Sequence, residues 1–197
     1  MQEALARNSK RMSPPKRRAT LGLHLVACLF FAVVLCSGRD VIAGGLATRE
    51  EALAAAFPGA QIKPETIFLT GQQVKEAAAL AGVPIPSALV ARYQAFLNGK
   101  LVGRAYVDTH VVRTKKESLL IVLDEYGAVR RIEVTAFLEP PEYQASSQWY
   151  AQYKGKVLNN DLNLQRAIRP LAGATLTAVA ANQAVRRALA IDRVLER

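Results

Sequence analysis

Cysteine and histidine are nearly absent from the sequence, and their scarcity excludes several classes of protein. The two cysteines, Cys28 and Cys36, both belong to one apolar N-terminal segment. From residue 44 onwards no thiol is available for a disulfide, an iron–sulfur cluster or an attached c-type haem. The two histidines, His24 and His110, do not form a metal-ligand pattern with the scattered carboxylates. We therefore expect no metal site.

The motifs of common nucleotide-binding and hydrolytic enzymes are missing as well. The chain contains no Gly-x-Ser-x-Gly, no P-loop and no dinucleotide-binding fingerprint. The net charge of +10 invites comparison with nucleic-acid-binding proteins, but no zinc-finger spacing and no strip of basic and aromatic residues accompanies it. Half of the excess charge lies in residues 1–18, directly before an uncharged apolar segment. This arrangement indicates membrane targeting rather than nucleic-acid binding.

The N-terminal part is predicted to comprise a basic cytoplasmic tail at residues 1–18 and a signal peptide or membrane anchor at residues 19–38. The run from Leu21 to Leu35 is almost entirely apolar and suits either a signal-peptide core or a short spanning helix. The small-residue pattern Val41-Ile42-Ala43 would allow cleavage. Lys16-Arg17-Arg18 orients the N-terminus towards the cytoplasm. In a bacterium, the rest of the chain would then lie on the periplasmic side of the inner membrane, tethered or released.

Residues 44–94 are predicted to form a mainly helical N-terminal part. Thr48-Arg49-Glu50-Glu51 is a capping box before a helix that ends near Phe57. A short strand is predicted over Thr66–Thr70. A further helix is predicted over Gln72–Ala81, where Gly82 and two prolines end it.

Residues 95–197 are predicted to form the functional domain, with a first strand that begins just before it. Asn98-Gly99 predicts a tight turn between strands at 90–97 and 100–112. A second hairpin joins strands at 119–123 and 128–137, and a helix is predicted at 144–154. With the flanking helices, these antiparallel hairpins indicate an α+β fold.

The C-terminal helix is the most informative stretch. Small residues and hydroxyls precede it and begin it: Ala172, Gly173, Ala174, Thr175 and Thr177. Small residues let the backbone approach an anion closely, and the free N–H groups of a helix start favour negative charge. The two threonines could cap the helix or contact the anion. An apolar face with Val185 and Leu189 predicts docking on a core, with Arg186, Arg193 and Arg197 opposite.

Gly173-Ala174-Thr175-Leu176-Thr177 followed by a helix resembles the signature of the FMN-binding domain family. That family includes the flavin-carrying small subunits of the sodium-pumping NADH:quinone reductase and of the Rnf complex. The segments at 103–113 (GRAYVDTHVVR) and 139–143 (EPPEY) extend the resemblance over roughly residues 95–195. In the family, a flavin transferase esterifies the FMN phosphate to the threonine of a Ser/Thr-Gly-Ala-Thr motif. The resemblance implies that this threonine is Thr175.

Two positions depart from the family motif. Arg169 stands where the family usually has aspartate, and Ala172 stands where it has serine or threonine. The flavin transferase reads this motif, so the FMN could be covalent or dissociable. A cationic Arg169 would suit a phosphate that is held without a covalent bond.

Candidates for further chemistry each have a structural alternative. His110 and Asp108 share one strand face and could form an acid–base pair or a hydrogen bond on the sheet surface. Glu139 could be an acid or base, a turn residue or a flavin-ring contact. Trp149 and Tyr143 could cover the flavin ring or pack in the core.

These observations favour an exported, membrane-tethered protein that binds FMN and transfers electrons. The resemblance implies a membrane redox complex or a cytochrome as partner. The departures at Arg169 and Ala172 leave open a flavin-free interaction module. An FMN-dependent reductase would need His110 or Glu139 as its acid–base residue.

Overall fold

The computed structural model describes residues 46–196, so the predicted tail and apolar segment lie outside the described residues. The helices and strands follow in the order α1 (Arg49–Ala56), β1 (Gln61–Phe68), α2 (Gly71–Ala81), β2 (Leu89–Leu97), β3 (Lys100–Val111), β4 (Lys116–Asp124), β5 (Val129–Phe137), α3 (Ser147–Tyr150) and α4 (Thr175–Leu195). Single 3₁₀ turns at Pro141–Tyr143 and Ala151–Tyr153 flank α3. Between residues 46 and 196, no helix is long and apolar enough to span a membrane.

The strands form one antiparallel sheet in the order β1-β2-β3-β4-β5, which confirms the α+β class with flanking helices. Both predicted hairpins are present, as β2–β3 and β4–β5. Asn98 and Gly99 join the first pair with φ values of 52° and 77°. Positive φ at both central residues is what a type I′ turn requires, and this explains the Asn-Gly pair.

Helices pack on both faces of the sheet because the strand residues alternate between two apolar surfaces. On one face, α2 and α4 cover a core that includes Tyr106, Leu119 and Ile121. On the other face, the short helix α1 covers a smaller cluster around Leu120 and Val122.

Capping boxes begin the first two helices. Thr48 and Glu51 cap each other's backbone N–H groups at α1, as predicted. Thr70 and Gln73 form the same reciprocal pair at α2. Thr70 is therefore a helix cap, and the strand predicted at 66–70 is instead β1, which starts earlier and ends at Phe68.

The sheet crosses the predicted boundary between residues 94 and 95. That boundary falls inside β2, and β1 also lies within the part that was predicted to be mainly helical. Gly45–Arg197 form one compact unit. Strand β1 lies at the edge of the sheet and contains Pro64. Its apolar and polar residues therefore alternate only weakly, and weak alternation is a poor predictor of a strand.

The prediction that Arg186 lies on the solvent face of the C-terminal helix was wrong. Arg186 is buried and donates to the carbonyl oxygens of Ala81 (2.6 Å), Asn159 (3.0 Å) and Leu162 (3.0 Å). Its guanidinium ties the end of α2 to the loop before α4. Arg193 is exposed, as predicted, and Arg197 lies outside the described residues.

The helix predicted at 144–154 is shorter than expected. Only α3 and the following 3₁₀ turn are helical, with the Ser146 hydroxyl accepting from the Trp149 N–H. Beyond them, Gly155 donates to the Val129 carbonyl and Lys156 accepts from the Val129 N–H. These bonds to the start of β5 draw the chain out of the helical path.

Candidate functional site

The predicted phosphate turn is a real turn that leads directly into the longest helix. Gly173 has a φ of 78°, a conformation that residues with a Cβ rarely adopt, and it allows the chain to reverse before α4. Ala174 occupies the N-cap position, and no side chain caps the helix. In the part of the chain that the structure describes, the N–H groups of Thr175, Leu176 and Thr177 have no hydrogen-bond partner. The helix start is therefore an available set of donors.

The two threonines of the turn have different environments. Thr175 is exposed, whereas Thr177 is only 1% exposed and its hydroxyl donates to the Tyr143 carbonyl at 2.7 Å. The Thr177 hydroxyl therefore holds the 3₁₀ turn at residues 141–143 against α4, and its proton is not available to an anion. Thr175 does not cap the helix either, since it is the first helical residue.

The predicted turn has a pocket of its own of ≈ 230 Å³, and other pockets among the described residues are larger, with volumes from ≈ 380 to ≈ 470 Å³. Its lining residues come from three separate segments: Arg113, Tyr143 and the run from Gly173 to Thr177. The Arg113 guanidinium lies 5.4 Å from the centre of the Tyr143 ring, a distance typical of a cation–π contact. The structure thus brings a cation to the uncapped helix start.

Arg113 is the site residue that the sequence analysis missed, although it ends the segment that carries part of the resemblance. It lies just beyond β3, in the loop that leads to β4. An arginine at a strand end has no periodic signature, and its proximity to Gly173 arises only when the hairpin and α4 pack together. The sequence signal that could have revealed Arg113 is that segments 103–113 and 173–177 both resemble the same family.

Glu139 holds this loop in place. One carboxylate oxygen accepts from the backbone N–H groups of Arg113 (3.1 Å), Thr114 (2.7 Å) and Lys115 (2.8 Å). The N–H groups of Thr114 and Lys115 lower the pKa of Glu139. Of its predicted roles, the structure supports the turn residue, because the carboxylate is engaged by backbone donors beside the pocket.

The structure does not bring Arg169 and Ala172 into the lining of this pocket. Both residues are exposed. The Arg169 carbonyl accepts from the Trp149 indole N–H at 2.9 Å, and its N–H donates to the Gln152 side chain at 2.8 Å. Arg113, not Arg169, is therefore the arginine at the turn.

Of the two aromatic candidates, only Tyr143 lines the pocket. Trp149 is buried and makes edge-to-face contacts with Tyr150 (5.1 Å between ring centres) and Tyr153 (5.7 Å), so it packs in the core. Tyr143 is half-buried and lines the pocket.

His110 and Asp108 belong to a buried polar chain under α4 rather than to an open acid–base site. The His110 ring contacts Asp108 through Nδ1 (2.9 Å) and Glu117 through Nε2 (3.1 Å). Arg187 donates twice to Asp108, and the Tyr150 hydroxyl donates to Glu117. Because both ring nitrogens face carboxylates, both act as donors when the imidazole is protonated. With His110 protonated, this buried polar group of side chains contains two cations, Arg187 and His110, and two anions, Asp108 and Glu117.

The surroundings of His110 and Asp108 favour the charged forms of both side chains. Burial on its own would lower the pKa of His110, but its hydrogen bonds to Asp108 and Glu117 outweigh burial and raise that pKa. Burial would likewise raise the pKa of Asp108, but Arg187 and His110 lower it to about 2. The side chain of His110 is 9% exposed. The group is therefore suited to holding α4 on the sheet.

A second buried polar cluster lies towards the other end of α4. Asp192 accepts from Arg104 at 2.5 and 3.1 Å and from the Tyr106 hydroxyl at 2.8 Å. Among the described residues, no group of three histidine, cysteine or acidic side chains is arranged to hold a metal ion. At the turn, the N–H groups of the helix start and the Arg113 guanidinium are donors suited to an anion.

Comparisons with protein-family models, with curated proteins and with solved structures find no match to this chain.

Proposed function

We propose that this chain is an exported, membrane-tethered FMN-binding protein that acts in electron transfer and holds the FMN phosphate at the Gly173–Thr177 turn. The observation that carries the proposal is the convergence of Arg113, Tyr143 and the uncapped start of α4 on one pocket. The resemblance at residues 173–177 and 103–113 supports it from the sequence.

The residues of this pocket fit a phosphate group. The backbone N–H groups of Thr175, Leu176 and Thr177 would donate to phosphate oxygens, and the positive end of the α4 dipole would add to their effect. The Arg113 guanidinium would supply a further charge-assisted donor. The exposed Thr175 hydroxyl is the ester position if the FMN is covalent.

The pocket volume of ≈ 230 Å³ is below the usual range of roughly 300–1,000 Å³ for small-molecule sites. It suits the phosphate end of FMN, so the ring system would lie outside it, with Tyr143 as the aromatic side chain at the pocket. When bound, FMN supplies the redox chemistry, and the protein supplies orientation and local charge. A ring system near the surface would allow electrons to pass to a membrane redox complex or a cytochrome.

The flavin-free interaction module is the second candidate. The departures at Arg169 and Ala172 favour it, because a flavin transferase reads the motif that they alter. No observation favours an FMN-dependent reductase, since His110 and Glu139 are both engaged in hydrogen bonds within the fold.

The proposal is tested by titrating FMN into the purified full chain and following flavin fluorescence. Arg113→Ala removes the guanidinium at the pocket, and Arg169→Ala removes an exposed arginine outside it. Hydrogen bonds to charged groups contribute about 1.5–3 kcal/mol, so R113A should weaken FMN affinity about tenfold or more. R169A should leave it unchanged. Absence of FMN binding by a parent chain that carries no covalent flavin would overturn the proposal and favour the flavin-free module.

A further inference from the structure

Four large apolar side chains are exposed together at one end of the sheet. They are 55–76% exposed, and we call them the distal patch: Phe68, Leu89, Val111 and Leu138. Isolated exposed apolar residues need no explanation, whereas a group of them on one surface indicates a binding face.

The strand register shows that the four residues belong to the same end. Phe68 ends β1 and pairs with Leu89 at the start of β2. Val111 ends β3 and pairs with Lys116 at the start of β4, whose carbonyl accepts from the Leu138 N–H. Neighbouring strands are about 4.8 Å apart, so a patch that reaches from β1 to β5 extends over about 19 Å.

The four residues also share one face of the sheet. Their neighbours Ile67 and Phe137 pack on the core under α4, so Phe68 and Leu138 point to the opposite face by alternation. That opposite face is the one on which α1 packs, but the cluster under α1 does not include the patch. The distal patch is the apolar part of this face that α1 leaves uncovered.

Basic side chains adjoin the distal patch. Lys116 lies between Val111 and Leu138 in the register, and Arg113 and Lys115 are in the loop beside it. All three are exposed. Glu142 is an exposed acidic residue in the same region, and the carboxylate of Glu139 is engaged by the loop backbone. The surface therefore combines exposed apolar side chains with a net positive charge.

We propose that the distal patch rests on an anionic lipid bilayer, with the apolar side chains entering the interface and Lys115 and Lys116 contacting lipid phosphates. Apolar side chains that enter the interface, together with cations that attract acidic lipids, are the features by which proteins adsorb to membranes. This inference rests on the proposed membrane tether and does not require FMN.

The length of the chain before α1 favours a bilayer over a protein partner. The predicted anchor ends at residue 38, eight residues before the first described residue. Eight residues extend over at most about 28 Å, so a tethered domain remains within reach of the lipid surface. The tether thus converts a weak surface contact into an intramolecular one. A bilayer contact at this end would also bring the Arg113 pocket close to the membrane.

The experiment uses the full chain in nanodiscs of phosphatidylcholine that contain phosphatidylglycerol and a phospholipid with brominated acyl chains, which quench tryptophan. Phe68→Trp reports on the distal patch. Tyr126→Trp is the matched control, because Tyr126 is 86% exposed in the β4–β5 turn at the opposite end of the sheet. Trp149 is buried and gives the same background in both variants.

We expect F68W to show blue-shifted, quenched emission, and Y126W to show no quenching beyond that of the parent chain. Each basic residue at an anionic surface contributes about fivefold to partitioning, so adding Lys115→Glu and Lys116→Glu to F68W should abolish the quenching. Removal of phosphatidylglycerol should weaken it in the same way. These readouts do not depend on flavin, so failure of FMN binding would leave them unchanged.

Two results would overturn the inference. If F68W enters nanodiscs but is not quenched, the patch does not touch lipid, even if a partner protein or a second copy shields it. If the parent chain does not assemble into nanodiscs, the tether is absent and the proposal fails with it.

Discussion

Replacement of Asp192 by alanine should destabilise the protein strongly, because it leaves a buried arginine without its main partner. The side chains of Arg104 and Asp192 are 4% and 6% exposed, and two N···O contacts of 2.5 and 3.1 Å join them. Asp192 also accepts from the Tyr106 hydroxyl. The change therefore removes one anion and leaves two buried donors unsatisfied.

The magnitude follows from what remains around Arg104. Removing one partner of a buried ion pair costs about 3–5 kcal/mol. Glu196 lies 3.5 Å from Arg104 and is partly exposed, so it compensates for part of the lost charge. We therefore expect D192A to lower the free energy of unfolding by about 3–4 kcal/mol. For a domain of this size, each kcal/mol corresponds to about 2–4 °C, so Tm should fall by roughly 6–16 °C.

Chemical and thermal denaturation followed by circular dichroism would measure the loss. Asp161→Ala is the matched control, because it removes the same group from an exposed ion pair with Arg166 at 3.3 Å. Exposed pairs contribute about 0–1 kcal/mol, so D161A should change stability little. Equal effects of D192A and D161A would refute the reasoning, since they would mean that burial of the Arg104–Asp192 pair has no energetic consequence.

Three further predictions concern the fold and the pocket. Gly103→Ala should cost about 1–3 kcal/mol in denaturation experiments, because a Cβ there would lie 2.5 Å from the Phe57 ring and closer still to the Leu123 carbonyl; Gly71→Ala, with open space around it, should not destabilise. His110 has a raised pKa in the folded state, so its stabilising effect is complete below pH 6.5 and is lost as pH rises through that raised value. The Tm advantage of the parent chain over His110→Gln should therefore shrink with rising pH, and a constant or growing difference would contradict the assignment. Glu139→Ala should weaken FMN binding by releasing the loop that carries Arg113; combined with Arg113→Ala in the same titration, it should add little, whereas fully additive losses would argue against a positioning role.

Features of the fold with local causes could be predicted from the sequence. The Asn98-Gly99 turn and the Thr48–Glu51 capping box each depend on residues adjacent in the chain. The second hairpin follows from alternation within its strands. Edge strand β1 was predicted only in part, because Pro64 and exposed residues weaken its pattern.

The buried polar groups could not be predicted, because their partners are distant in the chain. Arg104 and Asp192 are 88 residues apart, and Arg187 and Asp108 are 79 apart. A charged residue on a helix is usually solvated, so the sequence predicts Arg186 on the exposed face, whereas its guanidinium donates to carbonyl oxygens of distant segments.

Only part of the candidate site could be predicted from the sequence. The turn at Gly173 and the helix after it have a local signature, and the structure confirms that turn and helix. Arg113 lies in the loop between β3 and β4, and only packing brings it to the pocket. A hydroxyl near a helix start can cap the helix, contact a ligand or bond to another segment, so the sequence alone could not show that Thr177 donates to the Tyr143 carbonyl.

The most direct test of the central claim is an absorbance spectrum of the protein purified from its own host, repeated on the denatured and precipitated chain. The account predicts flavin bands in the native protein. If the bands remain with the precipitate and the peptide containing Thr175 has the added mass of FMN, the cofactor is covalent. If they are released, it is dissociable. A purified protein without flavin bands, which also retains no flavin after FMN is added and the free FMN is removed, would contradict the account.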